Sequence, residues 1–370
     1  MHLFDTARDR VEHFEPGEVV RMYTCGITPY DATHLGHAAT YVTYDVLHRR
    51  LLDRGVEVRL VRNITDVDDD LLARAKRDDI NYLDLAFREK RTFDDDLARL
   101  GNLEPWSEPR VTSAIPDVRG FIAELLERDA AYIVDGAVYF RHDASSRFGE
   151  ISRYTEEQMV EVGELRGEDP NDPNKRHRLD TALWKPSQPG EPTWESPWGR
   201  GRPGWHVECV ALSFRELGAV VDIHGGGCDL AYPHHEFCHA QLDAGVTGST
   251  TRFWVHQACV ELDGEPMSKS TGNLIFLADL FERHDPMAIR LAVLSKHYRS
   301  EIWEWTDDLL PVASERLARW RAAGEGSGPL DDVRAALDDD LDVPQALQLI
   351  DASSEHGGVS TAASLLGVVL

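Results

Sequence analysis

The spacing of apolar and polar positions changes several times along the chain, and each change marks an element. Val19 to Tyr23 is a short apolar run that predicts a buried strand. It is followed by the turn-forming Cys25-Gly26-Ile27-Thr28-Pro29-Tyr30 and a helical pattern through about Arg54. Val56 to Val61 predicts the next strand. Strand, glycine-containing turn, helix and strand make a βαβ unit, which implies a parallel sheet with ligands at the carboxyl ends of its strands. Helical patterns follow near Asp69 to Arg77 and Tyr82 to Leu100.

The Pro/Ser-rich stretch Glu104 to Pro109 marks a boundary. Beyond it lie a helix near Asp117 to Arg128 and a hairpin pairing Ala131 to Val134 with Ala137 to Phe140 across Asp135-Gly136, a favoured two-residue turn. Asp143 to Arg178 is charged and rich in turn formers, and predicts loop. A helix from Trp205 to Leu217, a strand at Ala219 to Ile223 and the glycine turn Gly225-Gly226-Gly227 then resume the sheet. Pro233 opens a further helix, since proline suits a first turn that needs no donor. Arg252 to Leu262 is strand-like, and from Pro286 the chain is mostly helical, with a Gly/Ser linker near Gly324 to Gly328. The expected fold class is α/β. A Rossmann-type parallel sheet (residues 1–103 and 179–255) is split by a connective insertion (104–178). It is followed by a region at 256–300 and a C-terminal helical region at 301–370.

A chain of 370 residues is long enough for two or three domains, which excludes a single small binding module. Its 65 acidic and 39 basic side chains give a formal charge of -26, which argues against a broad grip on phosphate backbones. The five cysteines, Cys25, Cys209, Cys228, Cys238 and Cys259, are scattered and odd in number, and no signal peptide accompanies them. Free thiols in a reducing cytoplasm are therefore expected instead of a disulfide framework. No apolar run is long enough to span a bilayer, so a soluble protein is expected. Lysine is scarce, with six in the chain, so a lysine inside a motif carries weight.

Two short motifs carry chemistry. His34-Leu35-Gly36-His37 at a helix start offers two imidazole donors, with Gly36 allowing close approach of a nucleotide. Met267-Ser268-Lys269-Ser270, after a Gly264 turn and before Gly272, has the form of a phosphate-contacting loop in which Lys269 closes on a triphosphate. Either alone is commonplace; together, in this order and on these elements, they point to nucleotidyl transfer, in which catalysis is positioning and charge stabilisation.

The run from Cys25 through Ala38 resembles the signature of the cysteine-specific branch of the HIGH/KMSKS class. Further matches are Asn63-Ile64-Thr65-Asp66-Val67-Asp68, Gly201 to Cys209, and Gly225 to His235. That branch contains the cysteinyl-tRNA synthetases and the cysteine ligases of mycothiol biosynthesis, and the likeness covers nearly the whole chain. It implies catalytic roles for His34, His37 and Lys269, and one zinc ion holding the substrate thiol through Cys25, Cys209 and His234. Thiolate and imidazole suit zinc, and a metal-held thiolate separates cysteine from serine far better than pocket size can. By the same matching, Cys25, Gly26, Ile27, Thr28, Thr40 and Trp205 line the cysteine and adenylate pocket, while Asn63, Ile64, Thr65, Gly227, Cys228, Asp229 and Val260 contact the adenylate. Two positions depart from the family. Cys238, one helical turn after His234, is either a fourth metal ligand or a small buried residue, and Pro266 stands where the first lysine of KMSKS is usual.

The acceptor separates the two kinds of enzyme. The chain ends 100 residues after Ser270, and Leu165 to Pro170 and the final Leu365 to Leu370 resemble elements of the mycothiol ligases. The resemblance therefore implies a cytoplasmic, monomeric ligase. It would use ATP, with Mg²⁺, to activate L-cysteine and join it to the amine of glucosaminyl-inositol, with no part for tRNA or membrane. A shortened cysteinyl-tRNA synthetase and an inactive thiol- or zinc-binding paralogue are the alternatives.

Overall fold

Val19–Ile27 (β1) is apolar on both faces, as a strand covered on both sides must be, and Leu35–Asp53 (α1) carries the chain back to the parallel strand Glu57–Ile64 (β2). Further along, Trp205–Leu217 (α2) precedes Val220–Gly227 (β3), and Glu236–Gly245 (α3) precedes Thr250–Gln257 (β4). These strands form one parallel sheet in the order β4-β3-β1-β2. The structure is a computed structural model that describes residues 1–267 and 271–370. The expected Rossmann-type sheet is present, with its first two strands joined by the predicted helix.

The glycines Gly225, Gly226 and Gly227 lie inside β3 and make no turn. They are needed for close approach. A Cβ on Gly225 would sit 2.4 Å from the Tyr44 ring, and the Tyr44 hydroxyl accepts from the Gly226 amide at 2.6 Å and donates to the Val255 carbonyl at 2.7 Å. Tyr44 therefore pins α1 against the carboxyl ends of β3 and β4. β1 also runs longer than its apolar stretch, and takes Cys25 and Gly26 into the sheet.

Ala131–Val134, Ala137–Phe140, Thr181–Pro186 and Gly201–Pro203 form one antiparallel sheet, with strands on both sides of residue 178. The stretch Asp143 to Arg178 contains a helix, Glu156–Leu165, where loop was expected. Its start is fixed by a capping box in which Thr155 accepts from the Gln158 amide and Gln158 accepts from the Thr155 amide. Arg252 to Leu262 is two strands, because β4 stops at Gln257 and Val260–Leu262 pairs instead with Trp303–Glu304 and Glu265–Pro266. The N-terminal hairpin, His2–Asp5 with Arg10–His13, was not predicted.

The C-terminal helices pack on α1 in one continuous core. Arg290 is fully buried there; it pairs with Asp45 of α1 and donates to the carbonyls of Leu366 and Leu100 at 2.6 and 3.0 Å. A buried guanidinium with this many acceptors fixes the last residues against the first helix. Among the described residues no helix is long and apolar enough to cross a membrane.

Candidate active site and metal centre

His34 caps α1, and its ring stacks on that of His37 with centroids 3.7 Å apart. The segment after the MSKS loop docks on this turn: Leu35 donates to the Ile275 carbonyl at 2.9 Å and Leu277 to the Thr33 carbonyl at 3.0 Å. A cavity of about 510 Å³ opens beside it, lined by Tyr30, Asp31, Gly272, Leu274 and Phe276 among others. Lys269, with Ser268 and Ser270, lies outside the described residues.

The turn at the end of β1 is set by Asn63. Its side chain accepts from the Gly26 amide at 2.9 Å and donates to Thr65 at 3.0 Å, and a Cβ on Gly26 would lie 1.5 Å from the Asn63 carbonyl oxygen. Asn63, Ile64 and Thr65 are buried beneath this turn, and Ile64 and Val260 pack in the core with Ile27 and Leu35. On the other side, a Cβ on Gly227 would meet the Asp229 carboxylate at 2.4 Å and the Thr40 hydroxyl at 3.8 Å, so Gly227, Asp229 and Thr40 form one wall. Thr28 and Trp205 face a second opening, described below.

Free thiols were expected throughout, and this needs correction. Cys228 and Cys259 are joined as a disulfide, with Cα atoms 5.6 Å apart, because Cys228 follows β3 and Cys259 follows the neighbouring β4. The Cys228 sulfur is thereby occupied, and any contact of this residue with an adenylate falls to its backbone. Cys25, Cys209 and Cys238 are free and buried.

The ligand atoms of Cys25, Cys209 and His234 lie within 4.8 Å of one another, all buried, brought together from β1, α2 and the turn before α3. The two sulfurs are 4.0 Å apart. A hydrogen bond from Cys25 holds the Cys209 thiol well below its ordinary value, against burial, and the charge of His234 adds to this, while burial pushes Cys25 up. Of the two, Cys209 is the more easily deprotonated. His234 stacks on Trp205 at 4.1 Å, and its Nδ1 lies 2.9 Å from Nδ1 of His206, whose Nε2 lies 3.1 Å from Glu168. With Nδ1 of His234 occupied, Nε2 is left to face the sulfurs, the usual way a supporting carboxylate chain orients a metal-binding imidazole. Burial opposes ionisation of Glu168, but bonds from His206 and Thr181 and the charge of Lys175 outweigh it and hold its carboxyl at about 2. Cys238 is outside this group of three but touches one of its members. Its sulfur is 3.8 Å from Nε2 of His234 and points at the His206 carbonyl 3.6 Å away.

Sequence reading missed the histidines around this centre. Nε2 of His235 is 3.1 Å and that of His224 3.6 Å from the Cys25 sulfur, and His235 continues through His256 to the Thr6 hydroxyl by contacts of 2.7 Å each. Burial lowers His224 and His235 well below the usual imidazole range and His256 to about 3, so these rings stay neutral. The density of histidine between His224 and His239 was the available signal. A third group, His142, His177 and Asp180, lies in the insertion, but its two rings are stacked at 4.1 Å, so their in-plane lone pairs run side by side and do not converge.

Residues 11–315 match the family described as tRNA synthetases class I (C) catalytic domain. A curated relative from Thermobispora bispora, named L-cysteine:1D-myo-inositol 2-amino-2-deoxy-alpha-D-glucopyranoside ligase, is 47% identical over 100% of this chain and 96% of its own length. The chain belongs to this ligase family. Members of the same name from Parafrankia sp. and Mycolicibacterium smegmatis are 50% and 45% identical, covering 95% and 98% of this chain and 81% and 91% of their own. The fold is that of class I synthetases. Mycobacterium tuberculosis methionyl-tRNA synthetase with methionyl-adenylate superposes at a TM-score of 0.66, with 15% identity over 95% of this chain and 87% of that one.

Proposed function

We propose that this ligase activates L-cysteine with ATP as cysteinyl adenylate and transfers the cysteinyl group to the amine of glucosaminyl-inositol. The observation that carries the reading is the convergence of Cys25, Cys209 and His234, far apart in sequence, into one buried donor set whose Cys25 carbonyl accepts from Tyr41 of α1, the helix that His34 caps. In the first step the cysteine carboxylate attacks the α-phosphorus of ATP, which enters with Mg²⁺, and pyrophosphate leaves. In the second the acceptor amine attacks the acyl carbon, the amide forms and AMP leaves. The adenylate is itself the activated species, so no protein nucleophile is needed.

The donor set fits zinc: two thiols and one oriented imidazole, closed off from bulk water. Bound there, zinc supplies a Lewis acid that holds the substrate thiolate and discriminates against serine. His34 and His37 act as donors to the phosphates, joined by Lys269, and Pro266 in place of a lysine leaves Lys269 as the motif's cation. Gly26, packed closely on Asn63 with Ile64 and Thr65 beneath it, shapes the turn against which the adenylate lies. Thr40, Gly227, Cys228, Asp229 and Val260 bound its other side, and Ile27, Thr28 and Trp205 complete the pocket for cysteine. The same reading makes the protein a cytoplasmic monomer.

The test offers purified protein ATP and cysteine with either glucosaminyl-inositol or tRNA and identifies the product by mass. A cysteinyl amide of the amino sugar supports the reading. Charged tRNA without amide would replace it with the synthetase alternative, and absence of cysteine-dependent ATP/pyrophosphate exchange with the inactive paralogue.

A further inference from the structure

An acceptor amine must reach the carboxyl carbon of cysteine while the thiol is held at Cys25, Cys209 and His234, so its binding site has to open beside that cluster. A cleft of about 390 Å³ does so, between the residues after β2 and the insertion, with Trp205, His206 and Glu208 of α2 at one end. Its volume is in the range of small-molecule sites.

The charge of this cleft says what it takes. Among the described residues seven carboxylates and four Lys or Arg side chains line it. All four cations are already engaged. Lys185 lies 2.8 Å from Asp69, which also pairs with Arg202; Lys175 lies 3.1 Å from Glu168; and Arg166 donates to the carbonyls of Asp229 and Tyr232. Five of the seven carboxylates, Asp68, Asp70, Asp169, Asp172 and Glu208, form no ion pair among the described residues, and of these Asp68 lies close enough to Glu208 for its charge to act on it. Asp68 accepts from the Asp70 amide at 2.9 Å. Glu208 is 1% exposed, and its Oε2 has no hydrogen-bond partner. A buried carboxyl oxygen without a partner is costly, and a ligand that brings a cation or hydroxyl relieves it.

We propose that this cleft is the acceptor site and that Glu208 and Asp68 recognise an aminated polyol, an ammonium group flanked by hydroxyls. The assignment rests on the functional reading above and adds the residues that select the acceptor. It also says why a phosphate-bearing acceptor is disfavoured, since the cleft's unbalanced charge is negative.

The test measures cysteine-dependent ATP/pyrophosphate exchange and acceptor KM in the wild-type chain, Glu208→Gln and Asp68→Asn. It adds N-acetylglucosaminyl-inositol, which has no cationic amine, as a competitor. Loss of a charge-assisted contact should raise the acceptor KM by about tenfold or more, beyond any change in the KM for cysteine in exchange. The inhibition constant of the neutral competitor should move by less than about threefold, as expected when only a charge contact is lost. The assignment is overturned if both variants keep the wild-type acceptor KM, or if the KM for cysteine rises in step with it. It is also overturned if the neutral competitor weakens as much as the amine. Should Glu208→Gln misfold, Asp68→Asn decides alone. A wild type that turns over no glucosaminyl-inositol would instead overturn the functional reading.

Discussion

Replacing His206 with phenylalanine isolates the support given to His234. His206 is 3% exposed and lies flat against Phe237 with ring centroids 5.0 Å apart, so a phenyl ring can occupy nearly the same space. What disappears is both nitrogens, and with them the 2.9 Å contact to His234 and the 3.1 Å contact to Glu168. His234 then loses the partner that fixes its tautomer and aims Nε2 at the sulfurs. Removing such an outer partner typically lowers metal affinity about 10- to 100-fold, or roughly 1.4 to 2.7 kcal/mol. The metal-free fold should lose about 1 kcal/mol, the low end for a buried polar contact, because Glu168 keeps Thr181 and Lys175. Competition between the protein and a chromogenic chelator for zinc measures the first quantity, and urea unfolding of the metal-free protein the second. Zinc affinity within about twofold of wild type in a normally folded variant would refute the reasoning, and would leave Trp205 stacking as what orients His234.

Four further outcomes follow from the same geometry. Glu168 is held near 2 against an ordinary 4.5, so its contribution to stability is fully present above 4.5 and is lost as pH falls toward 2. The stability gap between wild type and Glu168→Gln, followed by denaturant unfolding, should shrink across that window and stay flat above it. With Cys228 and Cys259 paired, thiol titration of the unreduced, denatured protein should find three reactive thiols, and five after reduction. Gly26→Ala would force a methyl carbon to within 1.5 Å of the Asn63 carbonyl oxygen. It should abolish cysteine-dependent exchange by displacing the turn, and exchange near wild-type levels would show that the turn can shift freely. Cys238→Ser should retain zinc against chelator as well as wild type, since the Cys238 sulfur is turned to the His206 carbonyl; loss of zinc would make it a ligand after all.

The βαβ core was readable because its signal is periodic: a run buried on both faces, then a helix whose cap is the motif histidine. Elements were misread where one residue type serves two purposes. The three glycines of β3 look like a turn, yet they make room for Tyr44, and sequence alone does not distinguish the two uses. Helix Glu156–Leu165 buries little beyond Met159 and Gly163, so its apolar stripe was too thin to see, although Thr155 and Gln158 spelled its start. The break at Ala258-Cys259 depends on Trp303, which is far along the chain and draws Val260 into another sheet. No local pattern carries that information.

Family resemblance pointed to Cys25, Cys209 and His234, which the fold brings together; the histidines that surround them were not foreseen, and they raise a question of choice. Cys25 belongs to two donor sets, one with Cys209 and His234, the other with His224 and His235. One ion cannot satisfy both. The first set offers two sulfurs, that of Cys209 being held well below its ordinary value by a hydrogen bond from Cys25, and an imidazole backed by the ionised Glu168 through His206. The second offers one sulfur and two neutral imidazoles. Of these, His235 is backed by the neutral His256 and the Thr6 hydroxyl, and among the described residues none of the contacts to His224 brings a carboxylate. A dication is stabilised most where negative charge and an anionic supporting chain are already in place, which favours the first set. His224 and His235 then remain neutral beside the Cys25 sulfur and bring no positive charge to compete with the ion.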